Sequence, residues 1–215
     1  MKKTRISLPP EERKEEILNT AERLFNEKGY NNVTVTDIIN EIDVVKGTFY
    51  HYFKNKEEVK NILINRYLDK EIKNMTTILN NKALTTIDKI KEMVYEIISL
   101  MHREETLMHD VKNLDGEIFI KIICERIERF KPLIRQVLDE GIKNKIFKPI
   151  YEEETLVLLL MNLAVTIPFF FYTQPLWSET HENEVIKTMT HNLELSLGIT
   201  RGTFDDISDN WKNYV

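Results

Sequence analysis

The sequence predicts an all-α protein, on three observations. Apolar residues recur at helical intervals in the long segments, as at Ile17, Ala21, Leu24 and Phe25, and no stretch alternates with the period of a strand. Glycine and proline are few, six of each in 215 residues, which favours long helices over a turn-rich sheet. Helix-start signals also recur, at Thr34-Val35-Thr36-Asp37 and again at Asn55-Lys56-Glu57-Glu58. The expected architecture is an N-terminal three-helix helix-turn-helix head over residues 1–54. A larger helical body follows over 55–200, then a tail over 201–215 that the pattern does not place.

The first helix opens at Pro9-Pro10 with acids in its first turn and closes at Lys28-Gly29, a cationic last turn followed by a C-terminal glycine. Thr34 caps a short second helix with Ile38, Ile39 and Ile42 on its buried side, and Val44 plugs the turn at Asp43-Val44-Val45. In the third helix, Lys46 to Phe53, the pair Phe49 and Phe53 is spaced i, i+4 and faces inward. A long helix then runs from Asn55 through Val59, Ile62, Leu63, Tyr67 and Ile72 to about Leu79, joining head to body without a flexible linker.

The body reads as helices throughout. Thr85 or Thr86 caps a segment with Ile87, Ile90, Met93, Val94, Ile97, Leu100 and Met101. Ile118 to Phe130 follows, and Pro132 is expected to restart a separate helix that ends by Phe147-Lys148-Pro149. The last two helices are Glu152–Tyr172 and Glu184–Leu197, the latter stopped by Gly198.

Net charge is −5, but it is unevenly divided: residues 1–60 carry 11 Lys and Arg against 11 Asp and Glu, so the deficit lies wholly in the remainder. Nucleic-acid affinity in a neutral head must come from the placement of its cations, Lys2, Lys3 and Arg5 in an arm and Lys46, Lys54 and Lys56 around the third helix. That helix carries a cation, a hydroxyl and three aromatic hydrogen-bonding side chains, Lys46, Thr48, Tyr50, His51 and Tyr52. The combination suits phosphates and base edges in a DNA groove better than a merely solvated surface. The single cysteine, Cys124, excludes an intrachain disulfide and is expected as a small core residue. The N-terminal lysines have no apolar stretch behind them and do not read as a secretory signal; a cytoplasmic location is expected.

Residues 9–60 resemble the DNA-binding head of the TetR/AcrR family of bacterial transcriptional regulators. The resemblance rests on Phe25, Gly29-Tyr30, the run T-V-T-D-I-I from Thr34, and V-V-K-G-T-F-Y-H-Y-F-K-N-K-E-E from Val44 to Glu58. It implies that Lys46, Gly47, Thr48, Tyr50, His51 and Tyr52 enter the major groove, with Gly47 permitting close backbone approach. It also implies phosphate contacts from Thr34, Thr36 and Lys56. Two positions depart from the family pattern: Asp43 stands where glycine is usual, and Val45 where serine is usual. Asp43 tolerates the left-handed conformation, whereas Val45 offers no capping oxygen, a loss of about 1 kcal/mol.

The apolar run Leu156–Tyr172 has the length of a membrane span, but Asn162, Thr166 and Pro168 interrupt it, and a core or interface helix explains it better. The resemblance implies a homodimer joined by the last two long helices; the residues expected at that interface are Leu156, Leu159, Leu160, Leu163, Val185, Met189, Leu193 and Leu197. An apolar or aromatic small-molecule effector is expected in a pocket drawn from Met93, Ile97, Met101, Phe119, Ile123, Phe130, Met161, Val165, Phe169 and Trp177, each of which at helical spacing also fits plain core. His102 and His109, near Glu104, Glu105 and Asp110, fall short of a convincing metal set, and no cofactor is expected. The expected function is therefore non-enzymatic: a repressor that binds double-stranded operator DNA and is released by an effector. The alternative is a helical small-molecule-binding or enzymatic protein with a vestigial head.

Overall fold

A computed structural model describes residues 8–102, 116–173 and 182–214, all of whose regular elements are helical. The head comprises α1 (Pro10–Lys28), α2 (Val35–Glu41) and α3 (Lys46–Tyr52). The body comprises α4 (Lys56–Asn80), α5 (Thr86–His102), α6 (Gly116–Lys143), α7 (Glu152–Met161), a π-helical segment (Asn162–Thr166), α8 (Ile167–Thr173), α9 (Glu182–Leu197) and α10 (Asp205–Asn210).

The head closes on a small apolar core to which α1 contributes Ile17, Leu18, Ala21, Leu24 and Phe25, α2 contributes Ile38 and Ile39, and α3 Phe49, with Phe53 beside it. Val59 and Leu63 of α4 belong to the same cluster, so the head is packed onto the first two turns of that helix. Polar contacts reinforce this attachment. Lys56 Nζ donates to the carbonyls of Tyr30 and Val33 at 2.7 and 2.8 Å. Lys56 and Lys60 lie 4.0 and 4.6 Å from the Tyr30 ring centroid, within cation–π range. Arg66 bonds Glu15 of α1 at 2.9 Å.

Pro132 does not break the chain as its sequence position suggests; α6 runs through it. The proline is exposed while Phe130 and Ile134 are fully buried, so the lost backbone bond falls on the solvent-facing side of the helix. The helix ends instead at Lys143, and Phe147 folds back over Gly141, where an added Cβ would lie 2.0 Å from the Phe147 ring. Cys124 is exposed rather than core. It lies off the inward stripe, which runs through Ile122, Arg126 and Phe130 at i, i+4, i+8.

The apolar run from Glu152 to Phe171 is long and apolar enough to cross a membrane, an 18-residue window within it having mean hydropathy 1.9, yet 56% of that window is buried inside the fold. Its helical register changes midway. Pro168 has no N–H to give the carbonyl of Ala164, four residues back, and the chain widens into the π segment just before it, with the Ile167 N–H reaching the Asn162 carbonyl.

The tail, which the sequence left unplaced, packs onto the body. Phe204, Ile207 and Trp211 are buried in the main core. The buried Glu194 carboxylate accepts from the backbone N–H groups of Gly202 and Phe204, the Trp211 indole donates to Asn183, and the Tyr214 ring stacks on Tyr95 at 4.1 Å.

Candidate nucleic-acid interface

Helix α2 starts as the sequence predicts. The Asp37 backbone N–H donates to the Thr34 hydroxyl oxygen at 3.2 Å, and Asp37 takes back the Thr34 N–H and O–H at 2.7 and 2.6 Å, a reciprocal capping box. The Thr34 hydroxyl, hydrogen-bonded to Asp37, holds that carboxyl below its ordinary value. Asp43 occupies the left-handed region at φ 52, where the Val44 N–H closes the turn onto the Ile39 carbonyl at 3.0 Å. Val45 precedes α3 in extended conformation with no side-chain cap.

What positions α3 is therefore its buried side. Phe49 and Phe53 are nearly inaccessible, with ring centroids 5.6 Å apart, and Phe53 N–H caps back onto the Phe49 carbonyl. This leaves Lys46, Gly47, Tyr50 and His51 outward, with Tyr50 50% exposed. Lys46 Nζ lies 5.9 Å from the Tyr50 ring centroid, and His51 meets Tyr52 edge-on at 4.8 Å. A Cβ added at Gly47 would touch nothing within 4 Å, so no packing within the chain explains a glycine that costs a helix about 1 kcal/mol. Of the other expected contacts, Thr34 and Thr36 are exposed at the start of α2, Thr48 is half-buried, and Tyr52 packs partly against the head core. Lys56 differs most from expectation. Two of its ammonium donors are committed to the Tyr30 and Val33 carbonyls, so it ties α4 to the head.

Of the residues expected to join two copies, Leu156, Leu159, Leu160, Leu163, Leu193 and Leu197 are buried within the single chain, and Val185 and Met189 are half-buried against its core. The same helices turn other apolar side chains outward: Val157, Leu158 and Met161 on α7 and Leu195 on α9. In a helix apolar all round, sequence alone does not tell the two faces apart.

The described members of the expected pocket are divided between the core and the surface. Met93, Ile97 and Phe130 are in the closed core, Val165 packs against it, and Ile123 is half-buried. Met161 and Phe169 are exposed, and Phe119 stands 6.0 Å from Phe169 between ring centroids. The Met101 side chain and Trp177 lie outside the described residues. An open groove of about 360 Å³ between α6 and α7 takes Met161 alone from that set, together with Ile127, Lys131, Leu156, Val157 and Leu160. Among the described residues no group of three or more His, Cys, Asp or Glu could hold a metal; His109 lies outside them.

One polar group in the body escaped sequence reasoning. Arg126 and Glu71 form an ion pair with both side chains 1% exposed. The guanidinium donates to both Glu71 oxygens at 2.9 and 2.8 Å, to the Tyr67 hydroxyl at 3.0 Å and to the Ala164 carbonyl at 3.4 Å. Burial opposes the charge on Arg126, but Glu71 and Tyr67 outweigh it and hold the guanidinium above its ordinary value. Burial, with Glu71 adding to it, pushes the Tyr67 hydroxyl well up. The available signal was an arginine standing on the apolar stripe of α6, between Ile122 and Phe130.

Residues 17–60 match the family described as "Bacterial regulatory proteins, tetR family". The HTH-type transcriptional repressor KstR2 of Rhodococcus jostii is 28% identical over 159 residues, 71% of this chain and 76% of that protein. A transcriptional regulator of the TetR/AcrR family from Thermobifida fusca superposes with a TM-score of 0.61 at 22% identity, covering 85% of this chain and 96% of the other. The regulator FadR from Bacillus subtilis, solved in complex with stearoyl-CoA, gives a TM-score of 0.59 at 22% identity, with 86% and 99% covered.

Proposed function

The chain belongs to the TetR family of bacterial DNA-binding transcriptional regulators, and from that premise we propose that it is a homodimeric repressor whose operator affinity is lowered by an acyl-chain effector. The observation that carries the DNA reading is the outward face of α3, where Lys46, Gly47, Tyr50 and His51 stand clear of a helix fixed from behind by Phe49 and Phe53. Lys46 supplies a phosphate-directed charge, Tyr50 and His51 supply hydrogen-bonding edges, and Gly47 leaves room for the duplex backbone. The half-buried Thr48 and Tyr52 border the face, and Thr34 and Thr36 flank it at the start of α2.

Pairing of two copies through Val157, Leu158, Met161 and Leu195 would bury an apolar face that water otherwise covers. Two heads on such a dimer meet half-sites about 34 Å apart, one turn of DNA. The acyl-chain class is supported by the stearoyl-CoA held by the FadR relative and by the apolar character of the body. A hundredfold preference of the effector for the released state corresponds to about 2.7 kcal/mol, enough to switch occupancy.

The test is fluorescence anisotropy with duplex fragments of the protein's own promoter region, repeated over a salt series and then with acyl-CoA esters of increasing chain length. Salt-sensitive binding reversed by one chain-length range is the expected result. Binding to no fragment at low salt would overturn the DNA reading, and binding indifferent to every acyl-CoA would overturn the effector class alone.

A further inference from the structure

Helix α4 carries the head as one piece, because Val59 and Leu63 lie in the head core and Lys56 and Arg66 bond back to Val33 and Glu15. Whatever fixes α4 against the body therefore fixes the recognition helix. Much of the seam between α4 and α6 is exposed and polar: Arg129 reaches Asp69 and Asn65, and Lys121 reaches Asn61. Such pairs are worth little and are easily exchanged for water. Arg126 is different in kind, since its partners Glu71 and Tyr67 are buried with it and no water stands ready to replace them.

The fourth bond of Arg126 gives the junction its direction. Ala164 lies in the π segment, and the Arg126 guanidinium reaches its carbonyl at 3.4 Å. The π segment that contains Ala164 continues directly from α7, which presents Val157, Leu158 and Met161 outward.

We propose that Arg126 is a positioning residue for DNA recognition: bonded at once to Glu71 and Tyr67 of α4 and to the Ala164 carbonyl of the π segment, it sets the spacing between the two recognition helices of the dimer. This rests on the paired-head reading above. A slip of α4 by one turn, about 5.4 Å, would strand both charges in the core. It would also exceed the ~3.4 Å step of a base pair, so the register of this junction decides which half-site separation fits.

The test uses the full-length dimer and operator duplexes whose two half-sites are moved apart or together one base pair at a time. The variant is Tyr67→Phe/Glu71→Leu/Arg126→Met, which removes every polar member together and leaves no orphaned charge or hydroxyl. Wild type is expected to lose about tenfold in affinity per base pair away from its optimum, and the triple variant less than about threefold, with circular dichroism showing the fold retained. Arg129→Ala, on the exposed part of the seam, should keep the wild-type profile.

Unchanged spacing selectivity in the folded triple variant would overturn the inference while leaving the paired-head reading intact. A wild type with no spacing optimum would sink both. Should the triple variant fail to fold, Arg126→Lys decides. A single ammonium cannot reproduce the planar fork that bonds Glu71, Tyr67 and Ala164 together, so it should flatten the spacing profile, and an unaltered profile there would also overturn the inference.

Discussion

In the head, charge stays out of the core cluster: Lys56 and the buried Lys60 lie over the Tyr30 ring, Arg23 bridges Glu27 and Glu41 on the surface, and the cluster itself is wholly apolar. The body does the reverse, closing its core around Arg126 and Glu71 and burying the Glu194 carboxylate against the tail. The head is thus held by short-range packing that tolerates no loss of volume. The body is held partly by long-range polar bonds that specify register more than they stabilise. A unit that reads DNA needs rigidity, whereas a body that switched between two states, as proposed above, would gain from contacts that are all-or-none.

That contrast is open to direct attack. The largest effects are expected where each region is least forgiving. Phe49→Ala should cost the head about 3–5 kcal/mol, a loss a three-helix core does not survive, and hydrogen exchange should show α1–α3 unprotected while the body amides stay slow. Arg126→Met alone should cost the body a similar ~3–5 kcal/mol in denaturant melts, because Glu71 is left buried and unpaired. If Arg126→Met melted like wild type, the body would be an ordinary apolar core and the contrast would fail. Next in size, Tyr50→Ala should weaken operator binding by roughly 1–3 kcal/mol in anisotropy titrations with no change in melting temperature.

Val45→Ser sharpens the comparison in the opposite direction. It supplies the capping oxygen that α3 lacks, and should raise head stability by about 1 kcal/mol in thermal melts. The smallest effect is one of pH. The ammonium of Lys89, with the Thr86 hydroxyl, holds the Glu140 carboxyl below its ordinary value of 4.5. A carboxyl depressed in the folded state contributes stability above pH 4.5 and loses it as pH falls through the folded value. Glu140→Gln should therefore show a shallower fall in body stability between neutral and acid pH than wild type, read by melts at stepped pH.

The two regions also differ in how far their sequence could be read. The head is written in local signals: a capping box within four residues, a left-handed Asp43, and an i, i+4 phenylalanine pair. Each of these is where the sequence puts it. The outward face of α3 followed from the same spacing. In the body, Pro132 sits within a continuous helix because its missing bond faces water, a matter of which side of α6 it occupies. Because α7 is apolar on both faces, only the tertiary fold distinguishes Leu159 inside from Leu158 outside. The Arg126 junction joins residues 55 positions apart, and its further contact, the Ala164 carbonyl, lies in a π segment on another helix. No local pattern encodes such a meeting.

The tail supplies a natural reporter for separating these two kinds of failure. The chain has two tryptophans and neither is in the head. Trp211 is sealed in the body beside Phe171, its indole bonded to Asn183. With Trp177 replaced by phenylalanine, intrinsic emission would follow the body alone and stay blind to α1–α3. A fluorescence trace and an ellipticity trace of the same sample would then part company whenever the small unit melts first.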